Sequence, residues 1–80
     1  MKIQIVAFGI AKDILNGSSS EMEVDNGGNI ADLKDMLLSR YPAFRELRSL
    51  RFAVNEEYRE DDFRLSEKDE VVIIPPVSGG

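Results

Sequence analysis

The sequence contains no cysteine and no histidine. Without cysteine there is no disulfide, thiolate nucleophile or thiolate metal site, and the cytosol is the expected compartment. Without histidine the chain lacks the commonest general base and the commonest metal ligand. We therefore expect no metal site, no bound cofactor and no catalytic group of the usual kinds.

Long apolar stretches and excess basic charge are also lacking. No segment approaches the roughly 18 apolar residues of a membrane helix, and the alternating polar residues of 1–5 are unlike a signal peptide. The net charge is −5, which disfavours nucleic acid because phosphates attract a basic surface. We expect a cytoplasmic protein that binds neither membranes nor nucleic acids.

Eight of the fifteen acidic residues lie between Glu56 and Glu70. Their spacing lacks the Asp-x-Asp-x-Asp-Gly pattern and the closing glutamate of a calcium loop. We interpret this segment as a solvated acidic surface that could also face a basic partner.

What the sequence does contain is the pattern of one small domain, since 80 residues leave no room for a second core. Lys2–Phe8 alternates as a strand, with Ile3 and Ile5 facing the core and Val6 and Phe8 on the opposite face. A short helical turn over 10–15 and a second strand over 21–25 follow. The intervening Ser18-Ser19-Ser20 is interpreted as a flexible hairpin loop.

The clearest helix signal begins at Asn29, a good N-cap, and continues with apolar residues at helical spacing over 30–41 until Pro42 stops it. Residues 43–50 predict a second short helical turn with Phe44 and Leu47 facing inward. Three further strands are predicted at 52–54, around Tyr58 and at 70–74.

This order of elements predicts an α+β fold in which one main helix packs on one face of a mixed five-strand sheet. Residues 71–74 are four consecutive β-branched residues, which is typical of a central strand buried on both faces. Pairing this strand in parallel with the N-terminal strand gives a ubiquitin-like β-grasp. The predicted core residues are Ile3, Ile5, Leu33, Leu37, Val71 and Ile73.

The last strand is followed by two prolines and a terminal Gly-Gly. Proline has no amide hydrogen and cannot continue the ladder, and glycine has no Cβ, so such a segment can thread a narrow channel. We expect a domain over 1–76 and a flexible tail over 77–80 whose reactive group is the carboxylate of Gly80. A merely frayed terminus is the alternative.

Three segments together resemble one known family. They are Val6-Ala7-Phe8-Gly9-Ile10-Ala11-Lys12-Asp13, Phe52-Ala53-Val54-Asn55-Glu56-Glu57-Tyr58 and Leu65-x-x-x-Asp69-Glu70-Val71-x-x-Ile74-Pro75-Pro76-Val77-Ser78-Gly79-Gly80. Over essentially its whole length the chain resembles the small subunit of molybdopterin synthase (the MoaD family), a ubiquitin-like sulfur carrier. The terminal Pro-Pro-Val-Ser-Gly-Gly is the most specific part of the match.

The resemblance implies a role in molybdenum cofactor biosynthesis. An E1-like adenylating enzyme would use ATP to form an acyl-adenylate at Gly80, and persulfide sulfur would displace AMP to leave a thiocarboxylate. The tail would then enter the large subunit of molybdopterin synthase, where the sulfur is transferred to a cyclic pyranopterin precursor. The chain would be no enzyme on its own, because the catalytic groups would belong to the large subunit.

Strand parity and the resemblance together predict the site residues. Gly80 is expected to be adenylated and to carry the thiocarboxylate, and Gly79 to allow close passage of the backbone. The expected partner-binding residues are Phe8, Tyr58, Ile74, Pro75, Pro76, Val77 and Ser78. Two alternatives remain: a ubiquitin-like modifier or other sulfur carrier conjugated through Gly80, and a non-covalent β-grasp interaction module.

Overall fold

The computed structural model describes residues 1–47 and 50–75. Five strands, two α-helices and one 3₁₀ helix follow the predicted order. In chain order they are β1 (Lys2–Ala7), α1 (Gly9–Leu15), β2 (Ser19–Glu23), α2 (Ile30–Arg40), the 3₁₀ helix (Pro42–Glu46), β3 (Arg51–Val54), β4 (Glu57–Arg59) and β5 (Glu70–Ile74). No helix in this described part of the chain is long and apolar enough to span a membrane.

The strands form one five-stranded sheet in the order β2-β1-β5-β3-β4. β1 and β5 are parallel, and the other neighbouring pairs are antiparallel. The predicted α+β fold, with its C-terminal strand in the middle of a mixed sheet, is confirmed.

The core lies between α2 and one face of the sheet. Alternate residues of β1 and β5 point into it, and the helix contributes Leu33 and Leu37. All six predicted core residues are at most 1% exposed. Other buried residues of the same cluster include Met22, Val24, Ile30, Phe44, Phe52, Val54 and Leu65.

The start of α2 is fixed by side-chain and backbone caps. Asn29 Oδ1 accepts from the Asp32 backbone N–H at 2.9 Å, and the Asn29 N–H donates to Asp32 Oδ2 at 3.0 Å. The next two amides, of Ile30 and Ala31, donate to the carbonyls of Phe63 and Asp61 at 3.0 and 2.9 Å. The four N–H groups that a helix start leaves unpaired therefore find partners here.

Three local predictions were wrong, the last of them only in part. Ser19 and Ser20 are part of β2, where they pair with Val6 and Ile5, instead of forming a loop. The turn is made earlier, since Asn16 ends α1 in the left-handed conformation with φ 61°. Pairing with β1 then outweighs the weak strand preference of serine.

The second error is the length of the predicted helical turn at 43–50. The structure has a 3₁₀ helix over Pro42–Glu46 with Pro42 at its start. Phe44 is buried as expected, and Leu47 is half-buried against the core. Proline fits the first helical position because its missing N–H has no partner there anyway.

The burial expected for β5 is also half wrong. Val71 and Ile73 are fully buried on the helix side, whereas Val72 and Ile74 on the other side are half-buried. Within the described part of the chain no helix packs on that second face. β5 is central in the sheet but buried on one face only.

Candidate functional site

The sheet face opposite α2 is called the open face here. One row of side chains crosses it from β1 to β4, because Val6 pairs with Val72, Val72 with Ala53, and Ala53 with Tyr58. Paired residues in neighbouring strands point to the same face of a sheet. The row gives the open face an apolar centre that ends in Tyr58, which is 64% exposed.

A second row lies beside the first, at the C-terminal end of β5. Ile74 pairs with Arg51 of β3. On the other side, Phe8 directly follows the pair of Ala7 and Ile73, and its extended backbone (φ −129°, ψ 162°) continues the alternation of β1. Phe8 is 60% exposed and Ile74 is half-buried.

The structure thus brings three of the predicted partner-binding residues, Phe8, Tyr58 and Ile74, onto one surface. Large exposed apolar side chains concentrated on one face are typical of protein interaction sites. Pro75 directly follows β5 and is also half-buried. The remaining predicted site residues, Pro76, Val77, Ser78, Gly79 and Gly80, lie outside the described residues.

The sequence reasoning missed Arg51. Its guanidinium carbon lies 5.9 Å from the centroid of the Tyr58 ring, within the range of a cation–π contact. The sequence did contain a signal, because Arg51 is two residues before Ala53 and alternate residues of a strand point to the same face. Arg51 was missed because the predicted strand began one residue later, at Phe52.

The opposite end of the open face is polar and mainly acidic. Gln4 pairs with Glu70 of β5 on one side and with Glu21 of β2 on the other, and Lys2 pairs with Glu23. The open face therefore changes along the strands, from acidic at one end to mainly apolar at the C-terminal end of β5, where Arg51 shares a cleft with Glu60 and Asp61.

A hydrogen-bonded cluster fixes the start of β5 and was also missed. Asn55 Nδ2 donates to Asp69 Oδ1 at 2.8 Å, and Asn55 Oδ1 accepts from the Glu70 backbone N–H at 3.2 Å. Asp69 Oδ2 accepts in turn from the Ser66 backbone N–H at 2.8 Å. The β3–β4 turn is thereby tied to the first residue of β5, which sets the register of the strand that carries the tail.

The acidic segment forms no metal-binding cluster among the described residues. Its members are largely exposed, and Glu57 accepts from Arg59 Nη2 at 2.6 Å. The described surface thus combines an apolar patch, the contact of Arg51 with Tyr58 and an acidic end.

The sequence matches the ThiS family over residues 5–80. It is 32% identical to the molybdopterin synthase sulfur carrier subunit of Mycobacterium tuberculosis, over 100% of this chain and 99% of that protein. It is 31% identical to the protein of the same name from Chlamydomonas reinhardtii, over 100% of both chains.

Solved structures share the fold. SAMP1 from Haloferax volcanii superposes with a TM-score of 0.83 at 21% identity, over 100% of both chains. A chain of the complex of subunits 1 and 2 of the molybdopterin-converting factor from Helicobacter pylori superposes with a TM-score of 0.69 at 21% identity, again over 100% of both chains.

Proposed function

We propose that Gly80 is the sulfur-carrying residue of this chain, which belongs to the ThiS family. The chain is a sulfur carrier of molybdenum cofactor biosynthesis, as are the relatives that match it over its whole length. That full-length match is the main evidence for this function. The proposed role of Gly80 is supported by the Pro-Pro-Val-Ser-Gly-Gly segment, which directly follows the central strand β5 in the sequence.

The chemistry at Gly80 begins with activation, because a carboxylate is a poor electrophile. The Gly80 carboxylate attacks the α-phosphate of ATP on an E1-like adenylating enzyme, which gives an acyl-adenylate and releases pyrophosphate. The terminal sulfur of a persulfide then attacks the acyl carbon and displaces AMP. A second thiol of the donor cleaves the resulting S–S bond, which leaves a thiocarboxylate on Gly80 and a disulfide on the donor.

In the next step, on the large subunit of molybdopterin synthase, the thiocarboxylate sulfur replaces an oxygen on a carbon of a cyclic pyranopterin precursor, with loss of water. Hydrolysis then cleaves the bond between this sulfur and the Gly80 acyl carbon, which leaves the sulfur on the precursor and returns Gly80 to a carboxylate. We assign the acid–base groups of this sulfur transfer to the large subunit, so that the chain acts as cosubstrate and positioning device and not as an enzyme on its own. ATP is used by the activating enzyme, so we also propose a cytoplasmic location, where nucleotide is supplied.

The open face is the surface that we propose for docking on the large subunit. Phe8, Tyr58 and Ile74 give it exposed or half-exposed apolar area, and it adjoins the residue after which the tail begins. Docking through a rigid sheet would place the tail at a defined point on the partner. The complex of two subunits known for the Helicobacter pylori fold relative supports a partner of this kind.

The intact mass of the chain tests this function. After incubation with ATP, an activating enzyme and a persulfide donor, we expect a mass increase equal to the replacement of one oxygen by sulfur. A variant lacking Gly80 is the matched control and should gain no sulfur. Conjugation to lysines of other proteins without any sulfur-loaded form would contradict the proposal and support a protein modifier instead.

A further inference from the structure

Arg51 is a cation on the open face, beside the C-terminal end of β5. It pairs with Ile74, the last residue of β5, and its side chain is exposed. Among the described residues, no carboxylate lies within ion-pair distance of its guanidinium. This arrangement differs from that of Arg59 on the next strand, whose guanidinium is paired with Glu57 at 2.6 Å.

The contact with Tyr58 holds Arg51 in an orientation that favours recognition. The guanidinium lies over the ring face at 5.9 Å. A guanidinium carries five N–H donors in one plane, so a group that rests on an aromatic ring keeps these donors available at its edge. Because the side chain is already held, less conformational entropy is lost when a partner binds it.

Charge around the open face indicates what Arg51 meets. The chain has a net charge of −5, and Glu21, Glu23 and Glu70 are at or near the other end of this face. Glu60 and Asp61 line the same cleft as Arg51, but among the described residues no carboxylate is within ion-pair distance of its guanidinium. A partner that covers the whole face must therefore oppose the unpaired Arg51 cation near the C-terminal end of β5 and carboxylates at the far end. Such complementary charges fix the orientation of docking.

We propose, on the basis of the sulfur-carrier function given above, that Arg51 determines docking specificity by pairing with a carboxylate of the large synthase subunit. This carboxylate lies beside the point where the tail enters the partner. A carboxylate fits the fork of the guanidinium with two parallel hydrogen bonds. The pair fixes the orientation of the open face at the C-terminal end of β5, the strand that precedes the tail in the sequence.

Binding to the large subunit of the same organism tests this at two salt concentrations. At about 0.05 M salt, Arg51→Met should weaken binding about tenfold, because it removes the charge of Arg51. At about 0.5 M salt the difference from the unmodified chain should shrink to less than about twofold, because the pair is screened. Arg51→Lys should fall between the two, since an ammonium lacks the bidentate geometry.

Arg59→Met is the matched control. It removes the same charge and also an aromatic contact, since the Arg59 guanidinium lies 4.7 Å from the Phe63 ring centroid. Arg59 borders the same cleft as Arg51, but it pairs with buried Phe52 and therefore belongs to the helix side of the sheet. Its affinity should stay within about twofold of the unmodified chain at both salt concentrations. Equal effects of Arg51→Met and Arg59→Met would overturn the role of Arg51 and leave the proposed function intact. No binding by the unmodified chain at either salt concentration would overturn both.

Discussion

The two faces of the sheet are built from the same strands but follow different rules. On the helix face, alternate residues such as Ile5 and Ile73 are fully buried. On the open face, their chain neighbours Val6 and Ile74 are half-buried, and the aromatic side chains of Phe8 and Tyr58 are exposed. Burial on the helix face stabilises the fold, whereas the open face leaves apolar side chains exposed to solvent.

We therefore expect mutations on the helix face to change stability and mutations on the open face to change docking. A fold of this size is expected to be only marginally stable, yet it leaves Phe8 and Tyr58 more than half exposed. Mutations can therefore be chosen that affect one face and spare the other.

Leu37→Ala tests the helix face. Leu37 is fully buried, and truncation of a buried leucine typically costs about 2–5 kcal/mol. We expect the free energy of unfolding to fall by that amount, which approaches the whole stability of a small domain. A denaturant titration measures it. A loss below about 1 kcal/mol would show that the helix face does not carry the fold.

Phe8→Ala tests the open face. Because Phe8 is 60% exposed, its removal should leave thermal stability nearly unchanged. Binding to the large synthase subunit should weaken by about tenfold or more, as expected for an aromatic residue in the centre of an interface. Thermal melting and a binding titration on the same sample give both values. Equal losses of stability and affinity would make Phe8 part of the core and remove the contrast between the faces.

Asn55→Ala tests the cluster that sets the register of β5. It removes the bonds to Asp69 and to the Glu70 backbone, and we expect about 1–2 kcal/mol of destabilisation. Hydrogen exchange should show the loss first at the start of β5. Asn55→Asp keeps an acceptor for the Glu70 amide but places a second carboxylate beside Asp69, so it should not restore stability. Full stability in Asn55→Asp would contradict this account of the cluster.

Ile73→Val and Ile74→Val form the smallest and most closely matched comparison. Each removes one methylene from neighbouring positions of β5, one fully buried and one half-buried. Ile73→Val should cost about 0.5–1.5 kcal/mol, and Ile74→Val clearly less, because its cavity is open to solvent. Equal costs in a denaturant titration would mean that the open face is as tightly packed as the helix face.

Much of the difference between the helix face and the open face could be predicted from the sequence. The cap at Asn29 and the apolar spacing over 30–41 located α2, and the β-branched run located β5. Both signals are local, so they can be read without the fold. The alternation of β1 also placed Phe8 away from the core before the strand partners were known.

The features that could not be predicted depend on contacts between segments that are distant in the sequence. The strand conformation of Ser19 and Ser20 comes from β1, to which they are bonded, and not from their own preference. The contact of Arg51 with Tyr58 depends on the β3–β4 turn, where Asn55 and Glu56 both have positive φ. The link from Asn55 to Asp69 joins residues that only the completed sheet brings together.

Extending the chain by one residue after Gly80 separates docking by the folded domain from sulfur loading at the Gly80 carboxylate. A chain with one residue added after Gly80 should keep the stability of the unmodified chain and still bind the large subunit. Mass spectrometry after activation should show no sulfur on it, and reconstituted synthase should make no molybdopterin from it. An extended chain that remains untrimmed and supports full molybdopterin synthesis would contradict the account.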